Sequence, residues 1–338
     1  MGTGKLRIGL LGAGRIGRIH GGNVAAHPRA RLSLVADASR EAARDLAEAT
    51  GAQVAEVEAV IHAADIDALV ICTPTDTHAD LIERGARAGK AIFCEKPVSL
   101  DAERTRACLR VVEETGTKLM IGFNRRFDPS FATLRQRIRD GEIGEVELVT
   151  ILSRDPSPPP PDYLARSGGL FRDMMIHDFD MARFLLGEEP VEVHAVASCL
   201  VDPAIRNAGD VDTAAVMMKT ASGRIAQVSN SRRATYGYDQ RIEVHGSRGL
   251  LAAGNRRTTT VEIANARGYC VDPALPFFLE RYAEAYRAEL DAFVTGMLDG
   301  TPLSPTGHDG LKAQRLADAA TVAARTGKAM RLTLEAGA

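Results

Sequence analysis

Little in the chain suits a secreted, membrane-bound or nucleic-acid-binding protein. Cysteine is sparse: Cys72, Cys94, Cys108, Cys199 and Cys270 are odd in number and widely scattered, with no Cys-x-x-Cys. That pattern excludes a disulfide framework and a structural zinc site, and it points to a reducing cytoplasm. No apolar run approaches the ~18–20 residues that a bilayer-spanning helix needs. The formal net charge is -2, which gives no electrostatic case for nucleic acid or an acidic membrane. A strand pattern begins at Leu6, which leaves no room ahead of it for a signal peptide. The opening Met-Gly would suit myristoylation, but Leu6 stands where Ser or Thr is needed. No internal repeat is present. The one biased segment, Pro156-Ser157-Pro158-Pro159-Pro160-Pro161, reads as a stiff loop, with a lid beside a site as the sharper alternative.

The apolar fraction is 45% and the charged fraction 25%, as in soluble globular proteins, and 338 residues suggest two domains. Residues 1–124 alternate short apolar strands (6–11, 31–37, 68–72, 91–94, 118–121) with Ala- and Arg-rich amphipathic helices (39–50, 77–89, 100–115). Strands that are apolar without alternation belong to a parallel sheet covered on both faces. The expectation is an α/β chain with an N-terminal Rossmann, doubly wound parallel sheet over 1–124. Residues 125–338 read differently. A helix near 128–140 leads to strand runs at 145–153, 190–200, 211–219, 223–230, 239–245 and 258–263, and two long helices near 276–298 and 307–326 close the chain. This predicts a C-terminal α+β domain with an open, mainly antiparallel sheet for substrate binding and oligomerisation.

Gly12-Ala13-Gly14-Arg15-Ile16-Gly17 follows the first strand and opens a helix, the context that a dinucleotide-binding loop requires. Gly12 permits the tight turn, Gly14 lets a pyrophosphate approach the backbone, and Gly17 lets helix pack on strand. The N–H groups of Arg15 and Ile16 would face the phosphates. Asp37 ends the second strand, where a carboxylate would bind the adenine ribose diol. That favours NAD over NADP, although Arg40 could serve a 2′-phosphate. Two more strand ends, Cys72-Thr73-Pro74 and Cys94-Glu95-Lys96-Pro97, point to the same carboxyl edge of the sheet. Thr73, Pro74, Glu95 and Lys96 are therefore cofactor-site candidates. Lys96 could also hydrogen-bond a substrate oxygen as charge builds on it. His78 reads as a residue that caps or packs the following helix.

Asp173 and His177 stand four apart in a segment that reads as one helix, so both should point to the same side. His177 could take a proton from an alcohol, and Asp173 could orient it or hold a neighbouring hydroxyl. The cysteine and histidine spacing offers no metal ligands, and no tyrosine stands four residues before a lysine. Zinc-dependent and short-chain alcohol dehydrogenase chemistry are thus both excluded.

Five segments together resemble the Gfo/Idh/MocA family, named for glucose–fructose oxidoreductase and inositol dehydrogenase. They are the loop at 12–17, the run Cys72 to His78, Glu95-Lys96-Pro97, the run Gly122 to Asp128, and Asp173 to His177. Within the family, the runs Ser153 to Pro156, Gly168 to Arg183 and Asn230 to Arg241 resemble the inositol dehydrogenases. The resemblance implies NAD-dependent oxidation of a cyclic polyol, an inositol foremost, with Lys96, Asp173 and His177 as catalytic residues. It implies Arg126, Asp155, Tyr236 and Tyr282 as substrate-binding residues, and a homotetramer or homodimer through the C-terminal sheet. Dehydrogenases of other inositols, aldoses or sugar acids share the motifs. A non-catalytic, dinucleotide-sensing regulator would be expected to lack the lysine or the histidine.

Overall fold

The computed structural model describes residues 4–333. The chain forms two compact units, the first made of residues up to Asn124 together with Ala285–Gln314, the second of Arg125–Glu284 with the segment from Arg315 onward.

In the first unit, β1 (Leu6–Leu11), α1 (Arg15–Ala26), β2 (Ala30–Ala36), α2 (Arg40–Thr50), β3 (Gln53–Val54), α3 (Val57–His62), β4 (Ala68–Ile71), α4 (Thr75–Arg87), β5 (Ala91–Glu95), α5 (Ala102–Thr115) and β6 (Leu119–Gly122) alternate. The six strands are parallel, in the order β3-β2-β1-β4-β5-β6. The order reverses between β1 and β4, so the ends of β1, β2, β4 and β5 border the switch point where such sheets bind ligands. The strands are buried on both faces: Ile8, Leu10, Val70, Ile71, Ile92 and Phe93 are inaccessible. Removing each such side chain from water contributes roughly 1.5–3 kcal/mol. β3 and α3 have no counterpart among the expected elements. Two exposed residues in β3 leave no hydrophobic pattern to find.

The second unit opens with a 3-10 turn (Asn124–Phe127) and α6 (Pro129–Arg139). Then come β7 (Val146–Arg154), α7 (Pro161–Ser167), α8 (Gly169–Asp173), α9 (Ile176–Leu186), β8 (Pro190–Ser198), α10 (Pro203–Asn207), β9 (Thr213–Thr220), β10 (Ile225–Ser231), β11 (Asp239–Gly246) and β12 (Gly249–Ala253). A hairpin of β13 (Glu262–Asn265) and β14 (Gly268–Val271) precedes α11 (Phe278–Arg281); most of α12 (Ala283–Asp299) and the start of α13 (Gly307–Thr326) belong to the first unit, and the rest of α13 and β15 (Met330–Arg331) return to the second. Seven strands form one sheet in the order β12-β11-β7-β10-β9-β8-β15. All its pairs are antiparallel except β7 with β10. Strict alternation sends Val216, Met218, Ala226, Val228, Ile242 and Val244 to a buried face, on which α9 packs. The opposite face exposes Val196 and Met217.

Three expectations change. The single division after residue 124 misses the return of 285–314 to the first unit, where Phe293 packs edge-on against Phe93 and Thr105 donates to buried Gln314 at 2.8 Å. An amphipathic helix shows that it has an apolar face, not which surface covers it. The strand placed at 258–263 is instead the exposed β13–β14 hairpin, and β12 was missed. Asp173 and His177 do not share one helix. Asp173 ends α8 and His177 is the second residue of α9; between them the Met175 N–H bonds the carbonyl of Leu170, five residues back. That wide bond breaks the regular ladder. The proline-rich segment runs without regular structure from Pro156 to Pro160, and α7 begins at Pro161.

Candidate active site

The glycine loop is built as its sequence demands. Gly12 has φ +97°, and a Cβ there would lie 2.6 Å from the Cys72 carbonyl carbon. A Cβ on Gly17 would lie 1.8 Å from the Gly12 oxygen, so any side chain there would separate α1 from β1. A Cβ on Gly14 meets nothing within 4 Å: its Cα faces open space ahead of α1. No side chain caps α1 and no acidic residue stands in its first turn. Its leading N–H groups and positive end are thus offered to an anion. These features fit the pyrophosphate of a dinucleotide.

Asp37 holds the loop as well as facing outward. Its Oδ2 accepts the Ala13 N–H at 2.6 Å and its Oδ1 the Ser39 N–H at 2.7 Å. Each oxygen keeps a lone pair for a ribose hydroxyl. Asp37, Arg40, Arg44 and Glu56 line a cavity of about 280 Å³. Arg40 pairs there with Glu56 at 2.9 Å, both largely exposed, and such pairs are weak. Asp37→Ser should therefore narrow the preference for NAD over NADP by about 1–3 kcal/mol. The ratio of kcat/KM values with the two nucleotides is the measurement, because damage to the loop weakens both alike. A wild type that already prefers NADP would contradict this reading of Asp37.

Lys96 stands at the carboxyl end of β5, half-buried, with its backbone fixed on both sides. Ahead of it, Glu95 is bonded at 2.8 Å by His20, which is buried against Phe93 and Tyr286. Behind it, the Lys96–Pro97 peptide is cis, and the Pro97 carbonyl meets His78 Nδ1 at 2.8 Å. His78 Nε2 lies 2.7 Å from the Thr73 carbonyl. One imidazole thus sits between the turn after β4, with Thr73 and Pro74, and the turn carrying Lys96. Burial holds the His78 pKa below its usual value, against the pull of those two carbonyls. A neutral ring donates to only one of them.

In the second unit, α8 delivers Asp173. Tyr163 donates to its Oδ1 at 2.7 Å, and Arg232 Nη2 lies 3.4 Å from its Oδ2. Asp155 follows β7, and its N–H bonds the Ser231 carbonyl at 3.0 Å; Arg232 follows Ser231 at the end of β10. The parallel pairing of β7 and β10 thus brings Asp155 and Arg232 off the sheet side by side. Burial pushes the Asp155 carboxyl up to about 7; Arg232 and Arg125 oppose the shift, and Asp173 and Asp178 add to it. His177 is half-buried at the start of α9.

The other substrate candidates are engaged elsewhere. Arg126 forks onto Asp180, with bonds of 2.7 and 2.6 Å, and stacks over Phe184. Tyr236 accepts from Arg154 and donates to Asp239. Tyr282 is buried and donates to Gln240 at 3.2 Å; Gln240 also accepts from Ser153. Ser153 in turn accepts from Arg125, whose guanidinium pairs with buried Asp178. This buried polar cluster, like Arg232 and His20, carries no signal in the sequence. Its members sit in apolar surroundings on different elements, and only the strand register joins them. Among the described residues, no His, Cys, Asp and Glu cluster suits a metal ion.

A doubly wound sheet with a glycine loop, joined to an open-sheet domain bearing acids and a histidine, defines a dinucleotide-dependent oxidoreductase. The NAD-binding Rossmann model of the oxidoreductase family matches residues 6–123, and the GFO/IDH/MocA C-terminal domain model matches residues 131–252. The chain belongs to the GFO/IDH/MocA family. It is 62% identical to an inositol 2-dehydrogenase of Rhizobium meliloti, over 93% of this chain and 96% of that one. It superposes with a TM-score of 0.94 on a myo-inositol dehydrogenase from Corynebacterium glutamicum, at 46% identity, covering 98% of this chain and 100% of the other. A scyllo-inositol dehydrogenase from Lactobacillus casei, solved with NAD(H) and scyllo-inositol, matches with a TM-score of 0.90 at 30% identity, covering 97% and 99%.

Proposed function

We propose that this chain oxidises myo-inositol at its axial secondary hydroxyl to 2-keto-myo-inositol. The observation that carries the reading is the group formed by Asp155, Arg232 and Asp173, two carboxylates flanking a buried guanidinium. Acceptors and a planar donor set close together suit the adjacent hydroxyls of a polyol. The relatives' substrates point the same way.

NAD, when bound, supplies the hydride acceptor. His177 takes the hydroxyl proton. Asp173, held by Tyr163 and Arg232, orients the substrate or the imidazole. Lys96, fixed between Glu95 and Pro97, donates to the oxygen on which charge develops. Arg15 and Ile16 offer N–H groups to the pyrophosphate, with Thr73, Pro74 and Glu95 along the cofactor's path. Asp155 belongs to the polyol pocket, and Tyr282, whose hydroxyl is given to Gln240, packs behind it. Arg126 and Tyr236 stand in the same proposal as wall residues, since Asp180 and Asp239 already take their polar atoms.

A homotetramer or homodimer would form through the exposed face of the second sheet, where Val196, Met217 and Ile225 stand among polar residues such as His194, Lys219 and Gln227. Among the described residues no helix is long and apolar enough to cross a membrane, and all five cysteines are free thiols; both fit a cytoplasmic enzyme.

NADH formation with myo-inositol, scyllo-inositol, D-chiro-inositol and D-glucose tests the substrate. The highest kcat/KM is expected for myo-inositol, because moving one hydroxyl strands a buried polar partner at a cost of about 1–3 kcal/mol. An aldose as best substrate, with myo-inositol inert, would overturn the assignment.

A further inference from the structure

Arg232 is almost fully buried, at 1% exposure, yet poorly satisfied. Its contact to Asp173 is a single one of 3.4 Å from Nη2, and its Nε–H has no acceptor among the described residues. Buried guanidinium groups are normally saturated, because an unmet charged donor is costly to bury. Buried Arg281 also leaves its Nε unmet, but both of its Nη atoms hold Asp128; other arginines of the chain show the edge filled. Arg126 on Asp180, Arg183 on Glu189 and Arg241 on Asp239 each present Nε and Nη2 together to one carboxylate. In Arg232 only the Nη2 half of that fork meets Asp173. The acid cannot complete it easily, since its other oxygen accepts from Tyr163.

The backbone at the base of this side chain is anchored. The Arg232 N–H bonds the Asp212 carbonyl at 2.9 Å. The Asp212 carboxylate in turn gathers the N–H groups of Leu200, Val201 and Asp202 at 2.8 to 3.1 Å. A planar donor edge with one N–H to spare lies beside Asp173, on a side chain whose own torsions decide how far it turns toward a ligand.

We infer that Arg232 is a specificity-determining residue, whose Nε–H binds a polyol hydroxyl oxygen adjacent to the one that Asp173 addresses. The inference rests on the polyol-oxidation reading above. It adds a recognition contact that the motif residues do not supply. Asp155, next along the sheet edge and with a carboxyl pushed up by burial, can accept from the same or the neighbouring hydroxyl.

The test pairs a substrate change with a side-chain change. Wild type, Arg232→Lys and Arg232→Gln are assayed with myo-inositol and its monodeoxy and epimeric analogues. Wild type should penalise loss or inversion of one particular hydroxyl by about 10- to 100-fold in kcat/KM, the range for a hydrogen bond to a charged group. Arg232→Lys keeps the charge but loses the fork. It should erase that one penalty, raise KM for myo-inositol by a similar factor, and leave the penalties at other hydroxyls in place. NADH affinity, followed by fluorescence, should stay within about 2-fold of wild type, because the nucleotide loop lies in the first unit. A variant that slows all polyols equally, with every penalty intact, would make Arg232 structural and overturn the inference. So would a wild type that tolerates removal of each hydroxyl in turn, a result that stands even if neither variant folds. Failure of the polyol reading shows itself separately, as a wild type that oxidises no inositol.

Discussion

Replacing His177 with alanine should lower kcat by roughly 10²–10⁴-fold at saturating substrate and leave NAD affinity nearly unchanged. An unassisted secondary alcohol loses its proton reluctantly at neutral pH, so a positioned base carries a large share of the rate. His177 stands half-buried in the first turn of α9, between buried Ile176 and Asp178. Asp178 is committed to Arg125 and Asn230 and is no competitor for the role. The measurement is steady-state turnover with myo-inositol, together with NADH titration by fluorescence. A fall in NADH affinity of the same size as the fall in kcat would indicate a folding defect. Near-full turnover would remove His177 from the mechanism.

Lys96→Ala should cost about 10²–10³-fold in kcat, the loss typical of one donor aimed at developing negative charge. The effect should fall on kcat more than on KM, because the interaction strengthens as the oxygen gains charge. The surroundings of Lys96 are built to hold it still: His20 on Glu95, His78 on Pro97, and the buried strand β5 behind them. Lys96→Arg places a positive charge in the same turn on a longer, planar group, and should recover only part of the rate. If Lys96→Ala changes KM alone, the lysine binds substrate without assisting the chemistry.

The parts of this molecule that are local in sequence could be read from it. The glycine loop declares itself because three glycines fall within six residues between a strand and a helix; the steric demands at Gly12 and Gly17 appear in the structure, while Gly14 faces open space. The buried parallel strands announce themselves by unbroken apolar runs, and the second sheet by alternation. Long-range pairings could not be read. Nothing near Arg232 in sequence indicates Asp173, fifty-nine residues away, or the register of β7 with β10 that brings it beside Asp155. Arg126 shows the reverse limit. Its neighbour Arg125 has the same chemistry one residue away, yet the 3-10 turn sends one guanidinium to Asp180 and the other to Asp178. The helix break between Asp173 and His177 was equally hidden, because Met174 and Met175 are ordinary helix residues by propensity.

The polyol-oxidation reading depends on a hydride leaving the carbon that bears the axial hydroxyl of myo-inositol. Incubation with NAD and myo-inositol deuterated at that carbon, followed by mass spectrometry of both products, tests this in one experiment. The expected result is reduced nucleotide carrying one deuterium and a ketone at the carbon that lost it, with turnover slower than for the unlabelled substrate. Reduced nucleotide without deuterium would place the oxidation at another carbon, and no reduced nucleotide at all would remove myo-inositol as the substrate.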